Sequence, residues 1–297
     1  MTAIQMVAEV PVGPSRKARF ARRFLRDLPV VPVAILVIVF VCGVLAPWVE
    51  PHDPTEGDLA LALREPVYSG GDWTHPLGTD HQGRDILSRL IGGARVSILI
   101  GFGVVIGAGT IGVVIALLSG YFGGWVDQVL SRLTDVLLSM PFLLVAIAVV
   151  GAVGASVQNL VIILIVMGWA QYARVLRGEV LRIRNADFVR LARINGARPP
   201  RIMVLHILPN ITNTLIVLAT LQLGTTILTE SALSFLGLGV PPPNPSWGSM
   251  LNDGRAHLTT SYWVAVVPGV VIMLTVLAVN LLGDWLRVRL DPRFRQL

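Results

Sequence analysis

Lysine, cysteine and charge of either sign are scarce in this 297-residue chain, and each shortage closes off a class of activity. Lys17 is the only lysine, and it stands near the N-terminus outside any glycine-rich turn. A Walker A loop needs a lysine that reaches nucleotide phosphates, so any ATP used in this protein's work must be bound by another chain. Cys42, the only cysteine, lies inside an apolar run and reads as a small packing residue. It excludes an intramolecular disulfide and a thiolate metal cage. The histidines His52, His75, His81, His206 and His257 are scattered without a pair at i and i+4, so they read as loop or helix-end residues rather than metal ligands. No Gly-x-Ser-x-Gly elbow or other nucleophile-and-base arrangement is present, and no catalytic residue is assigned.

Apolar residues fill the space. They make up 54% of the chain against 14% charged, and the mean hydropathy of +0.70 places it among membrane proteins. A spanning helix needs about 20 mostly apolar residues. Runs at 30–49, 96–119, 133–152, 157–176, 211–236 and 262–283 predict six of them in an all-α integral membrane protein. No small-residue cleavage site follows the first run, which therefore reads as an anchor.

Arginine placement predicts orientation. Positions 16, 17, 19, 22, 23 and 26 precede the first run, and Arg287, Arg289, Arg293 and Arg295 follow the last, so both termini are expected in the cytoplasm. Between runs four and five, Arg174, Arg177, Arg182, Arg184, Arg190, Arg193, Arg198 and Arg201 face only Glu179 and Asp187. At roughly 3 kcal/mol per arginine at mid-membrane, that block stays outside the bilayer. The organisation expected is a basic cytoplasmic segment at 1–29, a first span at 30–49, an acidic external loop at 50–95, a five-helix core at 96–285 with a cytoplasmic loop at 177–210, and a cytoplasmic tail at 286–297. Before the first span, Phe20, Phe24 and Leu28 share one helical face ringed by arginines. That segment reads either as an amphipathic helix on the inner leaflet or as a topology-setting tail.

Small residues four apart in the second run, Gly103 with Gly107 and Ala108 with Gly112, predict close helix approach. Pro141 and Pro268 are expected to kink or open their helices. In the basic loop a helical pattern runs from Glu179 to Arg193, Gly196 forms a corner after Asn195, and Pro199 and Pro200 start a second helix carrying Ile202, Leu205 and His206. Such a projecting knob suits a groove on a partner; an arginine-rich loop that binds anionic lipid is the competing reading.

Three stretches resemble one family. In DFVRLARINGARPPRIMVLHILPN (187–210), Arg190, Leu191 and Ala192 fall at the Glu-Ala-Ala positions of the permease subunits of ABC importers, Gly196 at their glycine, and His206, Ile207, Leu208 and Pro209 at the closing Leu-Pro segment. The glutamate and first alanine are replaced. HPLGTDHQGRDILSRLIGGARVSIL (75–99) and TESALSFLGLGVPPPNPSWGSML (229–251) are similar to segments of the C-type permeases in the peptide and nickel branch. This resemblance implies a type I importer permease fold in a bacterial inner or plasma membrane. It implies a B-type permease partner, two ATP-binding subunits that carry the ATP and magnesium, an extracytoplasmic solute-binding protein, and no nucleic acid. Cargo in the branch ranges over di- and oligopeptides, nickel, haem and other small solutes, with peptides implied first.

Within that frame Asp187, Arg190, Leu191, Ala192, Gly196, Ala197, His206, Leu208 and Pro209 are the candidate residues for docking and coupling to the ATPase. Glu230, deep in the fifth run, either lines the pathway or is bonded to neighbouring groups. Asp80, Arg84 and Asp85 either order the external loop or meet the binding protein. A secondary transporter would need ionisable coupling residues near mid-membrane, for which Glu230 is the one candidate.

Overall fold

The computed structural model describes residues 28–290, so the N-terminal arginine-rich segment and the tail from 291 lie outside the described residues. Among the described residues ten helices follow one another: α1 (Val30–Val44), α2 (Ala46–Val49), α3 (Ile86–Phe122), α4 (Gly124–Ser139), α5 (Phe142–Val153), α6 (Val157–Arg184), α7 (Asp187–Ile194), α8 (Pro199–Phe235), α9 (Trp247–Arg255) and α10 (Trp263–Leu290). Two 3-10 turns, Leu59–Leu61 and Val67–Ser69, lie in the loop between α2 and α3.

Helices α3, α6, α8 and α10 are each long and apolar enough to cross a membrane. The other two expected spans depart from single rods. Run 30–49 breaks at Leu45, because Pro47 lacks an N–H and its ring opposes the carbonyl four residues back. That leaves the 15-residue α1, about 22 Å long against a hydrocarbon core of about 30 Å. Run 133–152 is α4 and α5, bent by 86° at Met140–Pro141. Pro141 breaks its run outright, whereas Pro268 is accommodated within α10. Helix α3 begins at Ile86, ten residues before the apolar run suggests, because Asp85 caps it by accepting from the Ser88 N–H.

Packing is most extensive between α3 and α6. Ala108 is fully buried there, and a Cβ on Gly112 would come within 2.4 Å of the Tyr172 Cβ. Gly107 similarly faces Ile165, but Gly103 has nothing within 4 Å of its Cβ position, so that member of the expected pairs serves no contact. At one end of the bundle, Leu117, Tyr121, Leu176, Val180 and Ile183 join Val189, Ile202, Ile207 and Ile211 in one core cluster. At the other, Ile86, Leu90, Trp247, Met250 and Trp263 bring α3, α9 and α10 together. Helix α10 also lies against α1 and α8.

Candidate functional site: a knob at one end and a polar cluster at the other

The knob is α7, its corner and the start of α8. Asp187 stands exposed in the first turn of α7, where a carboxylate suits the helix dipole. Val189 is fully buried and Ala192 packs against the same core, while Phe188, Leu191 and Ile194 point outward, 44%, 59% and 80% exposed. Spaced three apart, these three make one apolar stripe on the outer face. Gly196 follows at φ +79°. Its N–H donates to the Arg193 carbonyl and the Ala197 N–H to the Ala192 carbonyl, both at 3.0 Å. Those two bonds close the helix as a Schellman turn, which needs a left-handed residue where Gly196 sits. Ala197 then packs back against the core.

Two expectations change here. The helix expected from Glu179 to Arg193 is two: α6 runs out to Arg184, and α7 starts again at Asp187. The second short helix does not exist as a separate piece, because Pro199 begins a 37-residue helix that continues to Phe235. Pro209 lies in its path, and a proline ring inside an α-helix clashes with the carbonyl four residues before it. A single π turn over Met203–Ile207 loosens the ladder at that point, so the helix passes the proline without stopping. Leu208 is half-buried, Pro209 is exposed, and the His206 carbonyl accepts from Asn210 Nδ2 at 2.6 Å.

The arginines around the knob do more than keep it out of lipid. Arg177 makes a two-pronged pair with Asp127 of α4 at 2.5 and 2.6 Å, and Arg174 pairs with Asp135. Arg184 donates to the carbonyls of Gly120 and Tyr121 at 3.1 and 3.0 Å, tying α6 to the end of α3. The Arg193 guanidinium lies 5.6 Å from the Tyr121 ring centre. Arg190, Arg198 and Arg201 remain exposed.

At the opposite end, Asp80 is fully buried at the centre of a charged cluster. Its Oδ2 accepts from Arg84 Nε at 2.7 Å and from Arg89. Its Oδ1 takes the Gln82 and Arg84 N–H groups at 2.8 and 3.0 Å. Both guanidiniums also reach Asp253 of α9 at 3.3 Å. Burial pushes the Asp80 carboxyl up, but Arg89 and Arg84 outweigh it and hold its pKa below the ordinary value. Asp85 is nearly inaccessible; besides capping α3 it lies 3.0 Å from His75 Nδ1. Asp80, Arg84 and Asp85 thus all engage this chain's own groups.

The Pro-Ser-Trp-Gly stretch explains itself alongside. Ser246 caps α9. Trp247, 1% exposed, donates its indole N–H to the Leu90 carbonyl at 2.9 Å. Gly248 lies so close to α8 that a Cβ would sit 2.2 Å from the Ser231 carbonyl oxygen.

Glu230 is enclosed by this chain's own groups. It is 1% exposed, with Ser234 Oγ at 2.7 Å and Ser231 Oγ at 3.4 Å as donors. Ser234 also accepts the Val240 N–H at 3.2 Å, so the carboxylate anchors the turn leaving α8. Gln171, Gln222, Thr225 and Thr229 line a cavity of about 250 Å³ among α3, α4, α5, α6 and α8. A signal for them exists in the sequence: 222, 225 and 229 fall on one face of a helix otherwise rich in apolar residues.

Comparison with known proteins fits this geometry. The chain is 43% identical to the di/tripeptide transport system permease protein DppC of Pseudomonas aeruginosa over 88% of its length and 86% of that protein's. It is 37% identical to the glutathione transport system permease protein GsiD of Pectobacterium atrosepticum, covering 98% and 97% of the two. Among solved structures, a chain of the MetNI methionine ABC transporter in an inward-facing conformation superposes with a TM-score of 0.55. The match covers 68% of this chain and 96% of that one at 19% identity, which establishes a shared type I importer fold. With residues 112–296 matching the family model as well, the chain belongs to the inner-membrane components of binding-protein-dependent transport systems.

Proposed function

We propose that this chain passes short peptides across the membrane as one permease of an ATP-driven importer, and that its knob is the seat of an ATPase subunit. One observation carries the reading: the knob's inner face is built into the core while Phe188, Leu191 and Ile194 stand unpartnered on its outer face. An apolar stripe of that kind marks a contact surface, and a lipid-binding loop would not need its other side locked into the bundle. Peptide cargo is supported by the names of the relatives, di/tripeptide, dipeptide and glutathione permeases. It is also supported by the cavity beside α8, where Gln171, Gln222, Thr225 and Thr229 offer uncharged hydrogen-bonding groups that suit peptide amides whatever their side chains.

In this reading the knob end and both termini are cytoplasmic, an orientation the arginine distribution supports. Two ATP-binding subunits carry the ATP and magnesium, a B-type permease completes the pathway, and a binding protein delivers cargo at the end where Asp80 lies. Closure of the ATPases moves the knobs and rocks the helices attached to them as rigid bodies. No bond in the cargo is made or broken.

The test co-expresses the chain with its partner subunits and replaces Leu191→Asp and Ile194→Asp together. Expected are normal membrane insertion, loss of the co-purifying ATPase, and loss of labelled dipeptide uptake into proteoliposomes. Full ATPase retention with unchanged uptake sinks the docking assignment. Uptake that runs on an ion gradient without ATP sinks the importer reading, and failure of di- and tripeptides and glutathione to compete sinks the cargo.

A further inference from the structure

We infer that His52, His75 and Asp85 form a binding site for a divalent transition-metal ion of the zinc type. The three residues come from separate stretches: His52 follows α2, His75 sits midway along the loop, and Asp85 caps α3. The fold brings one ligand atom from each within 4.8 Å of the others. The two imidazole rings lie 4.6 Å apart.

The geometry at His52 separates a metal site from an ordinary histidine–carboxylate pair. His75 Nδ1 is 3.0 Å from Asp85 Oδ1, a distance that a hydrogen bond explains by itself. His52 Nδ1 is 3.9 Å from Asp85 Oδ2, too far for a hydrogen bond. Yet it is buried and has no other hydrogen-bond partner. Two ligands bound tetrahedrally to one ion at about 2.0–2.2 Å stand about 3.3–3.6 Å apart. The gap between His52 and Asp85 is too wide for a hydrogen bond and a few tenths of an ångström wider than that spacing, so a small shift of the His52 ring brings its unsatisfied nitrogen onto an ion shared with Asp85.

The surroundings are those of a built site. Asp85 Oδ2 accepts from the Ser88 N–H at 2.8 Å and from Ser88 Oγ at 2.7 Å, which fixes the carboxylate's orientation. The same Ser88 Oγ accepts the His52 N–H at 3.0 Å, so one side chain positions two of the three ligands. Asp85 and His75 are 0% and 8% exposed at their side chains while His52 is 38% exposed, giving an entry path on one side only. Two imidazoles and a carboxylate suit zinc and leave a fourth position for water. An ion there would staple the end of α2 to the start of α3, across the loop that carries Asp80.

The test uses the full-length chain purified with its partner subunits, stripped with a chelator, reloaded with zinc alone and passed through gel filtration. Expected is one retained zinc per chain by elemental analysis, with X-ray absorption showing two imidazole ligands. His52→Ala and His75→Ala each lose the stoichiometric zinc, and Ser88→Ala weakens it roughly 10-fold or more. His257→Ala serves as control, because His257 stacks on His81, with ring centres 5.8 Å apart, and is not one of the three ligands. If His75→Ala does not fold, His52→Gln, at the accessible edge, decides alone. No retained zinc in the unmodified chain, retention unaffected by His52 replacement, or an equal loss in His257→Ala each overturns the site.

Discussion

Replacing Gly196 separates backbone conformation from side-chain bulk. The residue sits at φ +79°, yet nothing lies within 4 Å of where a Cβ would stand. A new side chain there meets no clash, so the penalty comes from the left-handed backbone alone. For an ordinary L-residue that is about 1–2 kcal/mol, or roughly a 5–30-fold fall in the population of the correctly turned knob. Asparagine tolerates this conformation better than alanine, and a β-branched residue tolerates it worst. Uptake of a labelled dipeptide per ATP hydrolysed in the reconstituted importer is therefore expected to fall in the order Gly196, Gly196→Asn, Gly196→Ala, Gly196→Val. Valine should leave hydrolysis poorly coupled to uptake, with insertion unchanged by membrane fractionation. If activity instead tracks side-chain volume, with alanine above asparagine, or if valine transports normally, the conformational argument fails.

Other perturbations bear on the polar end and the helix contacts. Asp80→Asn leaves Arg84 and Arg89 buried with only Asp253 between them, and breaking such a buried pair is expected to cost about 3–5 kcal/mol, seen as faster hydrogen exchange over residues 57–85; unchanged exchange would refute it. The folded protein holds the Asp80 carboxyl at a lowered pKa. Its contribution is therefore complete above about pH 4 and lost only as pH falls through that lower value, so loop protection should persist to pH 4 and collapse below it. Glu230→Gln keeps the size and one acceptor oxygen for Ser234 Oγ, while its NH2 can donate to the Ser231 hydroxyl instead of accepting from it, so peptide uptake should stay within about twofold of the unmodified chain; a large loss confined to charged peptides would support a pathway role. Gly112→Ala would place a Cβ 2.4 Å from the Tyr172 Cβ, and the forced shift of α3 from α6 should destabilise the protein by about 1–3 kcal/mol in thermal unfolding.

Periodicity and punctuation carried much of the architecture. Apolar runs mark the helices because lipid demands about 20 apolar residues whatever the rest of the chain does. The Gly196 corner is readable for a similar reason, since its cause is local: a Schellman turn needs a residue free to take positive φ. What stays hidden depends on partners distant along the chain. Asp253 meets Arg89 across 164 positions and Arg84 across 169, and no spacing rule links them. His52, His75 and Asp85 look unrelated until the loop folds, and the serine donors to Glu230 emerge only once Ser231 and Ser234 close around it. The 86° bend at Met140–Pro141 was half legible. Proline announces a break, but the angle is set by what α4 and α5 each pack against.

The unbroken run from Pro199 to Phe235 gives α8 a mechanical character. At 37 residues it is about 55 Å long. One end is the short arm beside Gly196, and the other ends beside the Glu230–Ser234 anchor that holds the turn into α9. In the importer proposed above, a push on the knob would have no loop in which to dissipate before the far end of α8, which would act as a lever that yields at the π turn over Met203–Ile207. How stiff that joint is sets how much of the stroke arrives.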